Sequence, residues 1–312
     1  MPATRRQKYV VGIGSQRAGS TLLAQLLDDC TPVYIHPQKE LHYFDTVAGN
    51  RPLDWLRDYL ETNQRIAEQR SAGLAGLARQ AGRRVRDAGR TVSGRGEVVR
   101  ASRIRERNQR HTTELILSCA SAEDLARIPY VDLFAPAAGT YPMVGEITPE
   151  YQLLDGTGVA RMRAVVGADA RIILLRRDPV RRILSSFVLL RGYLKSGEVE
   201  ASQLDEEGLL DMIEEDGLFI RQQYAFSDYD TAARRYREYF DNVLEIEMAD
   251  LIAGDDAVRE GLAQLLGAHI DRRRYARLVS TRFNSFGDPR FSDELVSAVE
   301  RGFADYLDGA SD

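Results

Sequence analysis

Cysteine is scarce in this chain of 312 residues, since Cys30 and Cys119 are the only two. Two cysteines cannot build a disulfide framework and their spacing matches no metal-binding motif, although a single bridge between them stays possible. No apolar run approaches the roughly 18 residues that a membrane span needs. The first predicted strand begins near Tyr9, which leaves no room for a signal peptide before it. These absences favour a cytoplasmic protein without stable membrane insertion.

Net positive charge is also lacking, because the formal net charge is −5. This value argues against nucleic acid as a general partner. The arginines are nevertheless concentrated between Arg65 and Arg110. We interpret residues 65–120 as a basic, largely helical insertion within one domain that spans residues 1–312. The insertion would be either a lid for an anionic substrate or a solvated arginine-rich helix pair.

A glycine-rich loop separates the first predicted strand from the first predicted helix. It has the sequence Gly14-Ser15-Gln16-Arg17-Ala18-Gly19-Ser20-Thr21. This is the frame of a phosphate-binding loop, but Ser20 stands where a nucleotide triphosphatase has its lysine. Backbone amides at the helix start, the hydroxyls of Ser20 and Thr21, and the guanidinium of Arg17 suit a phosphate or sulfate group. A plain strand-to-helix turn is the alternative.

Further along the chain, strands and helices alternate. Residues 143–147 and 170–176 have the apolar character of buried parallel strands, with a helix predicted from Gly158 to Val166 between them. Asp178 can cap the following helix and Pro179 can open it. A single helix is expected over residues 209–223. The sequence predicts an α/β protein with a P-loop-like, three-layer fold, in which helices flank a central, mostly parallel sheet.

Two polar segments accompany the glycine loop, and each follows a predicted strand. The first is Lys39-Glu40-Leu41-His42-Tyr43-Phe44-Asp45, and the second is Leu175-Arg176-Arg177-Asp178-Pro179, with Ser185 in the next helix. Together the three segments resemble the PAPS-dependent sulfotransferase family, and most closely its carbohydrate branch, typified by the heparan sulfate sulfotransferases. The likeness includes residues 145–151 and excludes the basic insertion.

The resemblance implies that the chain uses 3′-phosphoadenosine 5′-phosphosulfate (PAPS) as co-substrate, releases PAP and requires no metal ion. Glu40 is then the general base, and Arg17 neutralises charge on the leaving group without donating a proton. Arg177 and Ser185 would bind the 3′-phosphate. The 5′-phosphosulfate would be bound by the glycine loop, that is by Ser15, Gln16, Arg17, Ala18, Gly19, Ser20 and Thr21.

The roles of two residues beside the implied base depend on the local backbone conformation. In an extended segment His42 would share the face of Glu40, as a second candidate base or an orienting donor. A buried structural histidine is the alternative. Lys39 would then point the other way, unless a loop turns it toward the sulfuryl group. Glu40 itself could instead only form an ion pair with Lys39 or an arginine.

The implied reaction transfers a sulfuryl group to a hydroxyl, less often an amine, of a glycan, glycolipid or secondary metabolite. Ile147 stands where the heparan enzymes carry a substrate-contacting lysine, so heparan itself is not the expected acceptor. Two other functions stay open. One is a P-loop nucleotide kinase, which would need the missing lysine. The other is a non-catalytic protein that binds a nucleotide or a polyanion.

Overall fold

The computed structural model describes residues 7–84, 95–194, 205–280 and 291–309. These residues contain one five-stranded sheet with the strand order β2-β3-β1-β4-β5. All four neighbouring pairs of strands are parallel, so the predicted central sheet is confirmed. The strands are β1 (Lys8–Gly14), β2 (Val33–Ile35), β3 (Met143–Ile147), β4 (Arg171–Arg176) and β5 (Asn242–Glu247).

Helices surround the sheet and make up most of the remaining described chain. They are α1 (Ser20–Cys30), α2 (Tyr43–Val47), α3 (Leu53–Arg84), α4 (Arg95–Leu117), α5 (Ala122–Arg127), α6 (Gly156–Val166), α7 (Pro179–Leu194), α8 (Glu206–Glu214), α9 (Leu218–Ala225), α10 (Tyr229–Tyr239), α11 (Met248–Ala253), α12 (Asp256–Leu266), α13 (Arg272–Val279) and α14 (Asp293–Gly309). Short 3₁₀ turns cover Tyr130–Phe134 and Pro149–Leu153. Within these residues, no helix has the length and apolar character that crossing a membrane requires.

Alternate side chains of each strand enter different hydrophobic layers. Val11 of β1 and Ile172 of β4 pack with apolar residues of α2, α5, α6 and α10 on one face. Val10 and Ile173 pack with α1, α11, α12 and α13 on the other. Both faces are covered, which explains why the strands are nearly continuous apolar runs. The three-layer prediction is therefore confirmed.

The arginine-rich segment contributes the two long helices α3 and α4, which pack against each other. Helix α4 is fixed to the edge strand by polar contacts. Arg105 Nη1 lies 2.7 Å from Asp28 Oδ1 and also donates to the carbonyl of Ile35. Residues 85–94 of the predicted insertion lie outside the described residues, and the insertion boundaries 65–120 stay a prediction.

Helices α7, α8, α9 and α14 form a separate apolar cluster beside the sheet. As predicted, Pro179 opens α7, and the carboxylate of Asp178 accepts from the amide of Arg181 at 2.8 Å. The single helix expected over 209–223 is wrong. Asp216 has a left-handed backbone with φ 47°, and Gly217 follows it as the cap of α9, so the chain breaks into α8 and α9.

Candidate active site

The glycine loop connects β1 to α1 at the carboxyl end of the sheet. Gly14 has φ 102° and Gly19 has φ 91°. A Cβ atom on Gly14 would lie 2.5 Å from the amide nitrogen of Leu175 in the neighbouring strand, so only glycine fits there. Arg17 also has a left-handed backbone, with φ 67°. Such a conformation is rare for a residue with a side chain and is concentrated at functional sites.

The polar groups of the loop fall into two sets. Ser15 donates its hydroxyl to the carbonyl of Phe226 at 2.8 Å, and Gln16 donates its amide to Glu150 Oε1 at 2.6 Å. Ala18 is fully buried. These contacts fix the loop in place. The first turn of α1, which includes Ser20 and Thr21, carries the backbone amides that suit an anion at a helix N-terminus.

The segment after β4 meets the same loop. Arg17 Nε donates to Ser185 Oγ at 3.0 Å, and Arg177 Nη1 donates to the backbone carbonyl of Arg17 at 2.7 Å. The two residues predicted to bind the 3′-phosphate therefore both contact Arg17. Arg176, one position earlier, instead pairs with the carboxylates of Glu245 and Asp230.

Lys39 joins the glycine loop to Glu40. Its Nζ lies 3.0 Å from Ser20 Oγ and 2.7 Å from Glu40 Oε1. Because the segment is not extended, the alternative in which a loop turns Lys39 applies, and Lys39 lies on the side of Glu40 and the glycine loop. Lys39 has φ 57°, and its carbonyl accepts the amide of Ile147 at the end of β3 at 3.0 Å. An ammonium group thus reaches the loop position that lacks the usual lysine.

His42 also departs from the extended geometry, since it has φ 51° and precedes α2. Its Nε2 nevertheless lies 4.0 Å from Glu40 Oε2 and 3.9 Å from Glu150 Oε2. Ligand atoms of the three residues lie within 4.8 Å of one another. The structure therefore brings Glu40 and His42 together, and it adds Glu150.

The imidazole of His42 is held from several sides. Its Nδ1 lies 2.8 Å from Asp45 Oδ2, and the rings of Trp55 and Tyr59 meet it edge-on. Burial favours the neutral ring, but the Asp45 hydrogen bond and the nearby charge of Glu150 outweigh that effect and raise the pKa of His42 above its ordinary value.

Glu150 was not identified from the sequence as a site residue. Its side chain is 8% exposed, and Arg51 Nη2 lies 3.3 Å from Oε1. Burial raises the pKa of Glu150, as does the negative charge of Glu40, whereas His42 and Arg51 lower it. Its neighbours come from positions 16, 42 and 51, so no local pattern could have revealed the cluster. The only available signal was its place just after a predicted strand.

Glu146 was also missed, and it fixes the backbone that carries Glu40 and His42. Tyr130 and Tyr151 donate their hydroxyls to Oε1 at 2.6 and 2.9 Å. Thr148 Oγ1 and the amide of Leu41 donate to Oε2 at 2.6 and 2.9 Å. Burial raises the pKa of Glu146, and these hydrogen bonds oppose the rise. The amide of Leu41 thereby ties the segment between Glu40 and His42 to a carboxylate that three side-chain hydroxyls also hold.

Arg182 of α7, to which the sequence alone assigned no definite role, is fully buried. It donates to the hydroxyl of Ser227 at 2.7 Å and to the backbone carbonyl and side-chain oxygen of Gln223. Burial lowers the pKa of Arg182 to about 10. Its partners belong to the turn around Phe226, whose carbonyl accepts the hydroxyl of Ser15. Arg182 therefore stabilises the turn that binds Ser15 of the glycine loop.

By sequence, the chain matches no protein-family model and no curated protein. Several solved structures resemble it. A sulfotransferase from Alicyclobacillus acidocaldarius has a TM-score of 0.53 and 19% identity, over 97% of this chain and 93% of that one. A sulfotransferase from Mycobacterium avium has a TM-score of 0.49 and 16% identity, over 97% and 76%. The sulfotransferase domain of the Synechococcus PCC 7002 olefin synthase has a TM-score of 0.46 and 15% identity, over 100% and 97%.

The first of these structures has the highest TM-score of the three. Its match extends over nearly the full length of both chains. The chain therefore has the P-loop-like α/β fold of the Alicyclobacillus acidocaldarius sulfotransferase.

Proposed function

We propose that this chain is a sulfotransferase that moves the sulfuryl group of PAPS to an acceptor and releases PAP. The acceptor group is a hydroxyl, less often an amine, of a glycan, glycolipid or secondary metabolite. The proposal includes a cytoplasmic location, which rests on the sequence alone.

One observation carries the proposal, namely the contacts of Lys39. A single ammonium group bonds both Ser20 in the glycine loop and Glu40, at 3.0 and 2.7 Å. The group proposed to take the acceptor's proton is therefore one side chain away from the loop proposed to bind the donor. Such proximity is what an in-line transfer between two bound substrates requires.

The donor site would be built from the loop and the segment after β4. Arg17, Ser20 and Thr21 supply charge and hydroxyls for the phosphosulfate, and the amides at the start of α1 add further donors. Arg177 and Ser185 would bind the 3′-phosphate. Their contacts with Arg17 support this assignment, because the proposed phosphate ligands then form one continuous surface.

In the transfer step, the acceptor oxygen attacks the sulfur atom and forms a new S–O bond. The bond between sulfur and the phosphate oxygen of PAPS breaks, and its electron pair stays on PAP. Glu40 takes the acceptor proton. Arg17 and Lys39 stabilise the negative charge that grows on the departing phosphate and on the sulfuryl oxygens. Glu146 acts only as a positioning residue, through the amide of Leu41.

Ligand-dependent melting tests the donor assignment. PAP at about 100 times its dissociation constant should add about 2.7 kcal/mol to the free energy of unfolding and raise the melting temperature by several degrees. ADP lacks the 3′-phosphate and should have a much smaller effect. Equal stabilisation by PAP and ADP would contradict the proposal.

The kinase alternative is not favoured. Ser20 occupies the position of the lysine that phosphoryl transfer from ATP uses, and the similar solved structures are sulfotransferases. ATP turnover that depends on magnesium would restore that alternative.

A further inference from the structure

Three ligand-type atoms face one point between Glu40, His42 and Glu150. Nε2 of His42 lies 4.0 Å from Glu40 Oε2 and 3.9 Å from Glu150 Oε2. The ligand atoms of the three residues lie within 4.8 Å of one another, whereas zinc bonds to nitrogen and oxygen are about 2.0–2.2 Å long, so two ligands of one zinc ion lie at most about 4.4 Å apart. Shifts of a few tenths of an ångström in the carboxylates would therefore close such a site.

In both glutamates the oxygen that faces this point is Oε2, whereas Oε1 accepts hydrogen bonds from other side chains. Glu40 uses Oε1 for Lys39, and Glu150 uses Oε1 for Gln16 and Arg51. Glu150 Oε2 is buried and has no hydrogen-bond partner among the described residues. A buried carboxylate oxygen without a partner is costly, so its orientation toward the other two groups needs an explanation.

The surroundings of His42 match those of a metal-binding histidine. A histidine that ligates a metal usually donates its other ring N–H to a carboxylate, which fixes the tautomer. Here Nδ1 lies 2.8 Å from Asp45 Oδ2, so Nε2 is the ring nitrogen that faces the two glutamates. Arg51 in turn holds Asp45, with Nε 3.0 Å from Oδ2.

The charges of the cluster also favour a cation. Three carboxylates, on Glu40, Glu150 and Asp45, are paired with two permanent cations, Lys39 and Arg51. The side chain of Glu40 is 25% exposed, which gives an ion a path to the otherwise buried group.

From this geometry we infer that Glu40, His42 and Glu150 form a binding site for a divalent transition metal ion of the zinc class. One imidazole and two carboxylates suit zinc, whereas magnesium and calcium prefer oxygen ligands alone. Three protein ligands leave a fourth position open. The inference concerns metal binding and stands apart from the proposed transferase activity.

A bound ion would have one consequence for the proposed reaction. Glu40 Oε2 cannot take a proton from an acceptor while it ligates a metal, so zinc should inhibit sulfuryl transfer. The glycine loop, Arg177 and Ser185 are not ligands, so the affinity for PAP should change little. The site would then make the enzyme sensitive to free zinc.

Metal titration of the full, nucleotide-free chain tests the site. After treatment with a chelator, Zn²⁺ is titrated in competition with a chromophoric zinc indicator, and Co²⁺ serves as a spectroscopic probe. We expect one ion per chain with at least tenfold preference for Zn²⁺ over Mg²⁺. Glu150→Gln should weaken the affinity for Zn²⁺ at least tenfold, and Asp45→Asn should weaken it about 10–100-fold.

Glu245→Gln is the matched control, because Glu245 is also a partly buried, ion-paired carboxylate but lies at β5. It should bind Zn²⁺ as the wild-type chain does. If a variant fails to fold, anomalous scattering from a zinc-soaked crystal of the wild-type chain still tests the site. The anomalous peak of zinc should lie between the side chains of Glu40, His42 and Glu150. Absence of stoichiometric zinc binding, a peak elsewhere, or equal affinity for Mg²⁺ would overturn the inference.

Discussion

Replacing Glu146 by glutamine should separate the stability of the fold from the geometry of the proposed base. The wild-type carboxylate accepts four hydrogen bonds at 2.6 to 2.9 Å. All four partners donate to it, an arrangement that suits the ionised form. Glutamine keeps one acceptor oxygen and turns an NH₂ group toward two of the donors.

The magnitude follows from those contacts. Hydrogen bonds to a charged group contribute about 1.5–3 kcal/mol each, and two of them are lost or weakened. The tyrosine hydroxyls can rotate and accept from the new NH₂ group, which recovers part of the loss. We therefore expect Glu146→Gln to lower the free energy of unfolding by about 2–4 kcal/mol, measured by urea denaturation near pH 8.

The same substitution should slow sulfuryl transfer. The amide of Leu41 is held by Glu146, and Glu40 precedes it directly. A displacement of about 1 Å at a reacting group costs about 10²-fold in rate. Affinity for PAP should be retained, because the four donors to Glu146 all lie outside the glycine loop. Tyr130→Phe is the control for turnover, since it removes a single donor at a cost of about 1.5–3 kcal/mol and leaves the hydrogen bond of the Leu41 amide in place.

Two results would refute this reasoning. The first is a Glu146→Gln chain whose free energy of unfolding lies within about 0.5 kcal/mol of wild type, the range of ordinary surface substitutions. The second is a destabilised chain that keeps its full turnover at a temperature where it is folded.

Three other predictions concern the donor site, the pH dependence of stability and the loop. Arg177→Met should weaken PAP binding about 10–100-fold in calorimetry, because the loss of a charged hydrogen bond costs about 1.5–3 kcal/mol. Arg176→Met is the control and should leave PAP binding unchanged, because the guanidinium of Arg176 pairs with acidic side chains. Equal effects of the two substitutions would contradict the assignment. Burial lowers the pKa of His36 to about 3, and its Nδ1 accepts the amide of Gln38. Below pH 6.5 the imidazole of His36 therefore binds a proton in the unfolded chain but not in the folded chain. The free energy of unfolding is fully maintained above pH 6.5 and falls by up to about 1.4 kcal/mol per pH unit between pH 6.5 and pH 3. His36→Gln should flatten that slope in urea denaturation between pH 7 and 5, and an unchanged slope would contradict it. Gly14→Ala should lower the free energy of unfolding by at least about 2 kcal/mol, because its Cβ meets backbone in a strained conformation, and an unchanged urea midpoint would disprove the close approach.

The parts of the fold that depend on local pattern could be predicted from the sequence. Buried parallel strands are continuous apolar runs, and the capping pair before α7 is visible as Asp178 and Pro179. The left-handed backbone of Lys39 and His42 could not be predicted, because it accompanies contacts with β3: the amide of Ile147 donates to the carbonyl of Lys39, and the amide of Leu41 donates to the carboxylate of Glu146. Propensity alone would keep both residues extended.

In the candidate active site, too, the residues of local segments could be predicted from the sequence, whereas those brought together by the tertiary fold could not. Glu40 and the glycine loop belong to compact segments, and the resemblance gave them roles. Glu150 meets its neighbours only through the tertiary fold, because Gln16, His42 and Arg51 lie on three other segments. The break between α8 and α9 is instead local: Asp216-Gly217 is a turn signal, but the apolar spacing on its two sides also fits one continuous helix.

The central claim is that Glu40 removes the acceptor's proton while the nearby loop holds PAPS. The most direct measurement compares label transfer from ³⁵S-labelled PAPS by wild type and Glu40→Gln across a panel of hydroxyl and amine acceptors, together with PAP affinity. The account predicts labelled product from wild type, a loss of about 10²–10⁴-fold in the variant, and unchanged PAP affinity. Full transfer by Glu40→Gln, or no labelled product from wild type with any acceptor, would contradict it.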